Sequence, residues 1–68
     1  VNKYAEFVVP QGSGTQDVQI ILIDANGQRT VYQGAQKDGV RIRQKVEVTG
    51  SGKVQFFCNN KMVEEKNL

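Results

Sequence analysis

The chain has 68 residues, of which 38% are hydrophobic and 24% charged, and this length limits it to one small domain covering residues 1–68. It contains no His and a single Cys, so it lacks the commonest general base and transition-metal ligand and cannot close an internal disulfide. Its longest apolar run, residues 20–23, is far shorter than the roughly 18 residues of a membrane helix, so we expect no membrane insertion. The chain begins with Val1 rather than Met and has no signal-peptide pattern, so we expect it to be a piece of a longer protein.

The sequence predicts short strands separated by turns, with no convincing helix. Apolar and polar residues alternate along these strands, which is the period-two pattern of a half-buried strand. The six predicted strands cover residues 3–9, 17–24, 28–33, 40–49, 53–59 and 61–66. Turn-forming residues separate them at fairly even spacing, and no linker or repeat divides the chain. The pattern predicts an all-β fold, either an antiparallel sandwich or a small barrel of six or seven strands.

The second strand is predicted to lie centrally in a sheet or to be covered on most of both faces. Val18, Ile20 and Leu22 share one of its faces. Ile21 and Ile23 lie on the other face. Two apolar faces are typical of a strand with neighbours on both sides.

The turns carry their own predictions. Asn26-Gly27 is predicted to form a type I′ hairpin turn with positive φ at both residues, and the return strand is predicted to end at Gly34. Asn59-Asn60 is predicted to be a second two-residue turn, because Asn tolerates the left-handed conformation. Further turns are predicted at residues 37–39 and 50–52, and a flexible loop at residues 11–16.

The other strands supply the rest of the predicted core. Their inward positions are Ala5, Phe7 and Val9, then Val40, Ile42, Val46 and Val48, then Val54, Phe56 and Cys58. Gln44 is the one polar residue at an inward position of the fourth strand, and we interpret it as a bulge or a rim position. The last strand carries Glu64, Glu65 and Lys66, and we therefore expect it at a sheet edge.

Two motifs that could carry chemistry have simpler explanations. Residues 50–53, Gly-Ser-Gly-Lys, lack the first Gly of a phosphate-binding loop, and Val54 stands where a hydroxyl should follow the Lys. A strand rather than a helix follows, so this segment is predicted to be a plain turn. Cys58 would need a base partner to act as a nucleophile, and it lies in register with Val54 and Phe56. We expect a buried, inert thiol.

The seven carboxylates form no pattern that predicts a site. A glycosidase needs two of them across a cleft, and a calcium loop needs a denser run than residues 24–27 provide. We assign them to solvated faces and turn caps. The sequence therefore predicts no catalytic, metal or cofactor site, and no enzyme.

Three basic residues on the fourth strand form the candidate binding site. Arg41, Arg43 and Lys45 alternate, so they share one outward face and span about 13 Å. Lys53 is expected on the partner strand, where it would add to them. Such a row suits an anionic polymer such as nucleic acid, teichoic acid or phospholipid headgroups, although Glu47 lies on the same face. The opposing interpretation is an ordinary charged face that aids solubility.

Nucleic acid is the less favoured of these partners. A platform for single strands needs exposed aromatic rings on which bases can stack. Tyr32 and Phe57 are the only plausible candidates that we identify in the sequence. A small β-barrel that binds nucleic acid or another polyanion stays open as an alternative.

The order and spacing of the hairpins resemble a known bacterial module. The segments that carry the resemblance are residues 7–10, 17–24, 26–27, 31–34, 37–39, 50–54 and 61–66. Together they resemble the immunoglobulin-like C-terminal domain that follows the PASTA repeats in transmembrane serine/threonine kinases of Firmicutes. The resemblance covers almost the whole chain. It implies a small antiparallel immunoglobulin-like β-sandwich on the extracellular face of the membrane, at the tip of a rod of PASTA repeats.

The resemblance also implies a function. The domain would be a non-catalytic module that caps a sensor region associated with peptidoglycan fragments, while the kinase domain would lie elsewhere in the parent protein. Its partners would be peptidoglycan or another wall polymer, or a partner protein, contacted through the face that bears Arg41, Arg43 and Lys45. The family offers no catalytic residue to carry over. A purely structural spacer without a ligand stays open as the second hypothesis.

Overall fold

The computed structural model describes residues 1–12 and 14–68, which form six β-strands. The strands are β1 (Asn2–Val8), β2 (Thr15–Asp24), β3 (Gly27–Lys37), β4 (Arg41–Glu47), β5 (Lys53–Cys58) and β6 (Lys61–Asn67). β2 already begins at Thr15, so the predicted loop at residues 11–16 is shorter than expected. Ser13, which belongs to that predicted loop, lies outside the described residues. Within residues 1–12 and 14–68, no helix is long and apolar enough to cross a membrane.

The strands form two antiparallel sheets. β1 pairs with β4 in one sheet, and the other sheet has the order β3-β2-β5-β6. The predicted all-β antiparallel sandwich is therefore confirmed, with six strands. β2 is an interior strand and β6 an edge strand, both as predicted. The second face of β2 is not fully covered, since Ile21 and Ile23 are half-buried.

The core lies between the inner faces of the two sheets. Val18, Ile20 and Leu22 of β2 have no exposed surface, because alternate side chains of a strand point to the same face. Phe7 of β1 stacks on Phe56 of β5 with ring centroids 4.6 Å apart, which joins the two sheets. The other predicted inward residues are also buried, namely Ala5, Val9, Ile42, Val46, Val48, Val54 and Cys58, while Val40 is half-buried against them.

The β2–β3 hairpin forms where it was predicted but with a different turn. Its loop consists of Ala25 and Asn26, and Gly27 is already the first residue of β3. Gly27 has a φ of 106°, whereas Asn26 does not have a positive φ, so the type I′ prediction is wrong here. The cause is Asp24, whose Oδ1 accepts a hydrogen bond from the Asn26 backbone N–H at 2.9 Å. This local Asx turn competes with the left-handed conformation at Asn26.

The β5–β6 hairpin has the turn that was expected at the other hairpin. Asn59 and Asn60 have φ values of 51° and 67°, the positive pair that defines a type I′ turn. Asn59 is also tied to β2, because its Oδ1 accepts the Asp17 N–H at 2.9 Å and its own N–H donates to the Asp17 carbonyl at 2.8 Å. The predicted Asn59-Asn60 turn is confirmed.

β3 does not end at Gly34 as predicted but continues to Lys37. Gly34 is an ordinary strand position, and a Cβ placed there would lie 3.1 Å from the Tyr32 hydroxyl. The Tyr32 side chain thus extends over Gly34, and its Oη accepts a hydrogen bond from Gln36 Nε2 at 2.6 Å. The glycine provides room for the tyrosine and does not terminate the strand.

Gln44 lies at the rim of the core and is not a bulge. It stands opposite Ala5 in a β1–β4 pairing that runs without a shift in register. Its side chain is half-buried, and its Nε2 donates to the Lys45 carbonyl at 3.0 Å. The register shifts fall elsewhere, where β3 has the extra residue Val31 and β6 the extra residue Val63.

A cation bridges each of the two seams at which the sheets meet edge to edge. Arg29 of β3 donates from Nη2 to the carbonyl of Glu47 on β4 at 2.8 Å. Lys66 of β6 donates from Nζ to the carbonyl of Glu6 on β1 at 2.6 Å. Each bridge uses a backbone acceptor that would otherwise face outward from the edge of the β1–β4 sheet.

Candidate polyanion-binding face

The three predicted basic residues lie together on the outer face of the β1–β4 sheet. Arg41, Arg43 and Lys45 are exposed, and the buried residues of β4 alternate with them. At about 3.3 Å per residue, successive cations of the row are separated by about 6.6 Å. We call Arg41, Arg43 and Lys45 the basic row. Its placement on one face is confirmed, and what it binds stays a prediction.

β1 contributes an aromatic ring to this face. The Arg43 guanidinium lies over the Tyr4 ring at 3.7 Å from its centroid, a cation–π contact. Glu6, directly opposite Arg43, has its Oε1 3.8 Å from Arg43 Nε. The two contacts orient the guanidinium of a side chain that is still 59% exposed. Arg43 is therefore a positioned donor with open N–H groups rather than a freely rotating surface charge.

The charge of the face is concentrated at the two ends of the basic row. Glu6 and Glu47 share the face and offset part of its positive charge. Glu6 is engaged by Arg43 at the centre. Among the described residues, no carboxylate lies within 4.0 Å of the cationic nitrogen atoms of Arg41 or Lys45. Arg41 and Lys45 are thus the cations that an incoming anion can engage without displacing an ion pair.

Lys53 does not belong to this face, so its predicted placement is wrong. It lies on β5, in the four-stranded sheet, whereas the partner of β4 is β1. Its Nζ is 3.6 Å from Glu65 Oε2 on β6. The prediction assumed that residues 50–52 make a hairpin, but the chain crosses there from one sheet to the other. Gly52 permits this crossing, since a Cβ on it would lie 2.5 Å from Val48 Cγ1.

The aromatic residue of the site is Tyr4, which the sequence reasoning missed. Tyr32 lies on the inner side of β3 against the core, and Phe57 is half-buried on the outer face of the other sheet. Tyr4 is 45% exposed beside the basic row. The alternation of β1 puts Tyr4 on the outer face, away from the buried Ala5 and Phe7. The missing information was that β1 pairs with β4.

Asp24 is a turn cap, as expected for a carboxylate of this fold. Its Oδ1 and Oδ2 pair with Nη1 and Nη2 of Arg29 at 3.1 and 3.2 Å, and it accepts the Thr49 N–H at 3.0 Å in addition to the Asn26 N–H. The bond from Arg29 and those from the backbone lower the pKa of Asp24 to about 2. The carboxylate joins the β2–β3 hairpin to the segment after β4, and the four hydrogen bonds that it accepts occupy both of its oxygens.

Asp38 organises the opposite end of the domain in the same manner. It accepts hydrogen bonds from Gln16 Nε2 at 2.8 Å, from the Gly12 N–H at 2.9 Å and from the Gly14 N–H at 3.2 Å. These bonds, with that of Gln16 the largest, lower the pKa of Asp38. Gln16 is buried and also donates to the Pro10 carbonyl at 2.7 Å. The polar groups of this cluster satisfy one another.

The buried position predicted for Cys58 is confirmed. Cys58 is a buried free thiol whose pKa is raised by desolvation, which opposes the thiolate form that a nucleophile needs. Within the described ranges, no cluster of three or more His, Cys, Asp or Glu side chains is arranged to hold a metal ion. The Gly50–Lys53 segment leads into β5 and not into a helix.

Comparison with known proteins yields no match to a family model, to a curated protein or to a solved structure.

Proposed function

We propose that the domain is a non-catalytic binding module that contacts an anionic polymer through the outer face of the β1–β4 sheet. The observation that carries the proposal is the basic row on one rigid strand, with Arg43 positioned by Tyr4 and with Arg41 and Lys45 outside any ion pair of the described residues. The absence of His and the burial of Cys58 favour binding over catalysis.

The spacing of the cations favours a polymer over a single small anion. A phosphodiester chain that lies along β4 would place successive charges near successive cations, each about 6.6 Å from the next. Each exposed Lys or Arg near an anionic surface contributes about 1 kcal/mol and is screened by salt. With three cations and two nearby carboxylates, we expect weak, salt-sensitive binding.

The biological setting of this proposal rests on the resemblance to the terminal domain of PASTA-repeat kinases. In that setting the domain lies on the extracellular face of the membrane and caps the sensor region. Teichoic acid is then the wall polymer whose phosphodiester backbone suits the basic row. Peptidoglycan and a partner protein are the other candidate partners in the same setting.

The test uses two double variants with the same change in net charge. R41E/K45E reverses the two ends of the basic row and leaves Arg43 on Tyr4. K37E/K61E reverses two exposed lysines of the four-stranded sheet and serves as the control. Titration with purified teichoic acid should show at least about tenfold weaker binding for R41E/K45E, since two favourable charges become repulsive. The control should stay within about twofold of the parent chain.

Salt dependence provides a second readout of the same variants. For a contact with a phosphate polymer, the logarithm of affinity falls linearly with the logarithm of salt concentration by roughly 0.7–0.9 per phosphate neutralised. R41E/K45E should therefore show a slope shallower by about 1.5. Equal affinity and equal slope for the two double variants, with both folded, would remove the basic row as the binding site.

A further inference from the structure

The two edges of the four-stranded sheet differ in how they are protected. An edge strand presents unpaired N–H and C=O groups, and proteins normally protect such edges with charges, Pro, bulges or short strands. β6 has a bulge at Val63 and carries Lys61, Glu64, Glu65 and Lys66. β3 has 11 residues, and its residues 32–36 contain no charge and no Pro. Among the described strands, β3 pairs only with β2, and its other edge meets β4 through the bond from Arg29 to the Glu47 carbonyl, outside residues 32–36.

The unprotected part of β3 is also regularly paired on its other side. After the register shift at Val31, residues 32–37 pair with β2 without further irregularity. Tyr32 extends over Gly34 and is hydrogen-bonded to Gln36, so three alternate positions of the segment are locked on the inner side. A strand that is already extended and ordered pays little conformational entropy when another strand pairs with it.

A cleft of about 450 Å³ opens at one end of this segment, between β3 and β4. Its lining includes Val31 and the buried Val46, with Arg29, Lys45 and Glu47 nearer the solvent. A strand that runs beside β3 would place alternate side chains above this cleft. Strand addition derives affinity from main-chain hydrogen bonds and specificity from such pockets. Most of its lining residues are polar, so the cleft suits a polar side chain of the added strand.

The charges of β3 and the area that a pairing with it can bury indicate which kind of strand can bind its edge. β3 carries no acidic residue, its Arg29 is already paired with Asp24, and its Lys37 lies outside the ion pairs of the described residues, so a second copy of β3 would bring no complementary charge. Its five uncharged residues are about 17 Å long, too short for a pairing that buries the roughly 1,200 Å² of a stable dimer. An acidic peptide meets neither objection. We propose that the β3 edge binds an extended acidic peptide segment by strand addition, with a polar side chain of the peptide at the β3–β4 cleft.

The probe for this proposal is a seven-residue peptide in which Glu and Val alternate, with blocked ends. Titrated into the ¹⁵N-labelled domain up to about 1 mM, the range of weak strand addition, it should shift the amide signals of residues 31–37. It should also slow amide exchange along the same segment. A peptide with Lys in place of Glu should bind at least about fivefold more weakly, because it repels Lys37 of β3 and Lys45 at the cleft. Alternate N-methylation should abolish binding by removing main-chain donors.

Two variants with the same change in net charge test the position of the peptide. Q33E/A35E adds two carboxylates to exposed positions of β3, and M62E/N67E adds two to exposed positions of β6. The β3 variant should weaken binding of the Glu–Val peptide about tenfold through like-charge pairs, while the β6 variant leaves it within about twofold. Both variants keep the basic row, so teichoic acid binding should not change in either.

Four results would overturn the proposal. The first is the absence of amide shifts at about 1 mM peptide, the highest concentration used for weak binding. The second is a set of shifts confined to β6, and the third is equal binding of the Lys peptide. The fourth is a concentration-dependent dimer that protects β3 without peptide. The last result would make a second copy the occupant of the edge. Loss of teichoic acid binding in R41E/R43E, whose two positions do not line the cleft, with intact peptide binding would separate this site from the polyanion face.

Discussion

The outer faces of the two sheets have different chemistry, although both come from strands with the same alternating pattern. The β1–β4 face carries the basic row and an exposed tyrosine. The face of the four-stranded sheet carries Ile21, Phe57 and Met62, and its Lys53 is paired with Glu65. Charges on the second face neutralise one another across strands, whereas Arg41 and Lys45 face solvent. The difference shows that the pairing of strands, and not the number of basic residues, decides which charge is free for a ligand.

The largest expected effect comes from breaking the core that separates the two faces. Phe56→Ala removes a fully buried ring that stacks on Phe7, which should cost about 3–5 kcal/mol. Phe57→Ala, one position along on the outer face, should cost about 1 kcal/mol. Urea unfolding of both variants measures the difference. Equal destabilisation would contradict the assignment of inner and outer faces on β5.

Acid should weaken the fold through the carboxylates that cap its turns. The pKa of Asp24 is lowered to about 2 from 3.8, so its contribution to stability is present above about pH 4 and is lost as the pH falls through about 2. Asp38 and Glu65 act in the same direction, because their pKa values are also lowered. The urea midpoint should fall between about pH 4 and pH 2.

Asp24→Asn tests how much of this acid sensitivity belongs to one turn. The variant cannot ionise at this position, so its urea midpoint should be lower at neutral pH and should change less between about pH 4 and pH 2. Asp17→Asn is the control, since Asp17 caps no turn with its side chain in the described contacts. The same pH slope in Asp24→Asn as in the parent chain would rule out Asp24 as a source of acid sensitivity.

A smaller effect is expected from the ring that orients Arg43. Tyr4→Ala removes the cation–π contact and should weaken teichoic acid binding about two- to fivefold. Tyr4→Phe retains the ring and should bind like the parent chain. Isothermal titration of the two variants measures the contrast. If Tyr4→Phe loses as much affinity as Tyr4→Ala, the hydroxyl and not the stacked ring matters.

The smallest effect is expected from Lys53. Lys53→Glu should leave teichoic acid binding within about twofold of the parent chain, because Lys53 lies on the other sheet and is already paired with Glu65. Lys45→Glu is the comparison and should weaken binding more. A loss in Lys53→Glu equal to that in Lys45→Glu would mean that the polymer wraps around both sheets.

Much of the fold could be predicted from the sequence because alternation is a local property. The inward sets of β1, β2, β4 and β5 were predicted correctly, and so was the edge position of β6. The turn at Asn26 was not, because the Asp24 carboxylate bonds the Asn26 N–H and overrides the preference of the Asn-Gly pair. The end of β3 was missed because Gly34 was interpreted as a turn residue. It is a strand position that leaves room for the Tyr32 side chain extending over it.

The candidate site was only half predictable for a different reason. The basic row follows from alternation along one strand, so Arg41, Arg43 and Lys45 could be placed without knowing the topology. Which strand lies beside β4 is a non-local property. The sequence reasoning chose β5 and so included Lys53, whereas the real neighbour β1 supplies Tyr4 and Glu6.

The most direct test of the polyanion account is a map of the contact surface by ¹⁵N chemical shifts during titration with teichoic acid. We predict that the shifts concentrate on residues 4–6 and 41–45, that they vanish in R41E/K45E, and that raising the salt concentration reverses them. Shifts centred on Ile21 and Phe57, with residues 41–45 unchanged, would contradict the central claim that the β1–β4 face is the binding surface.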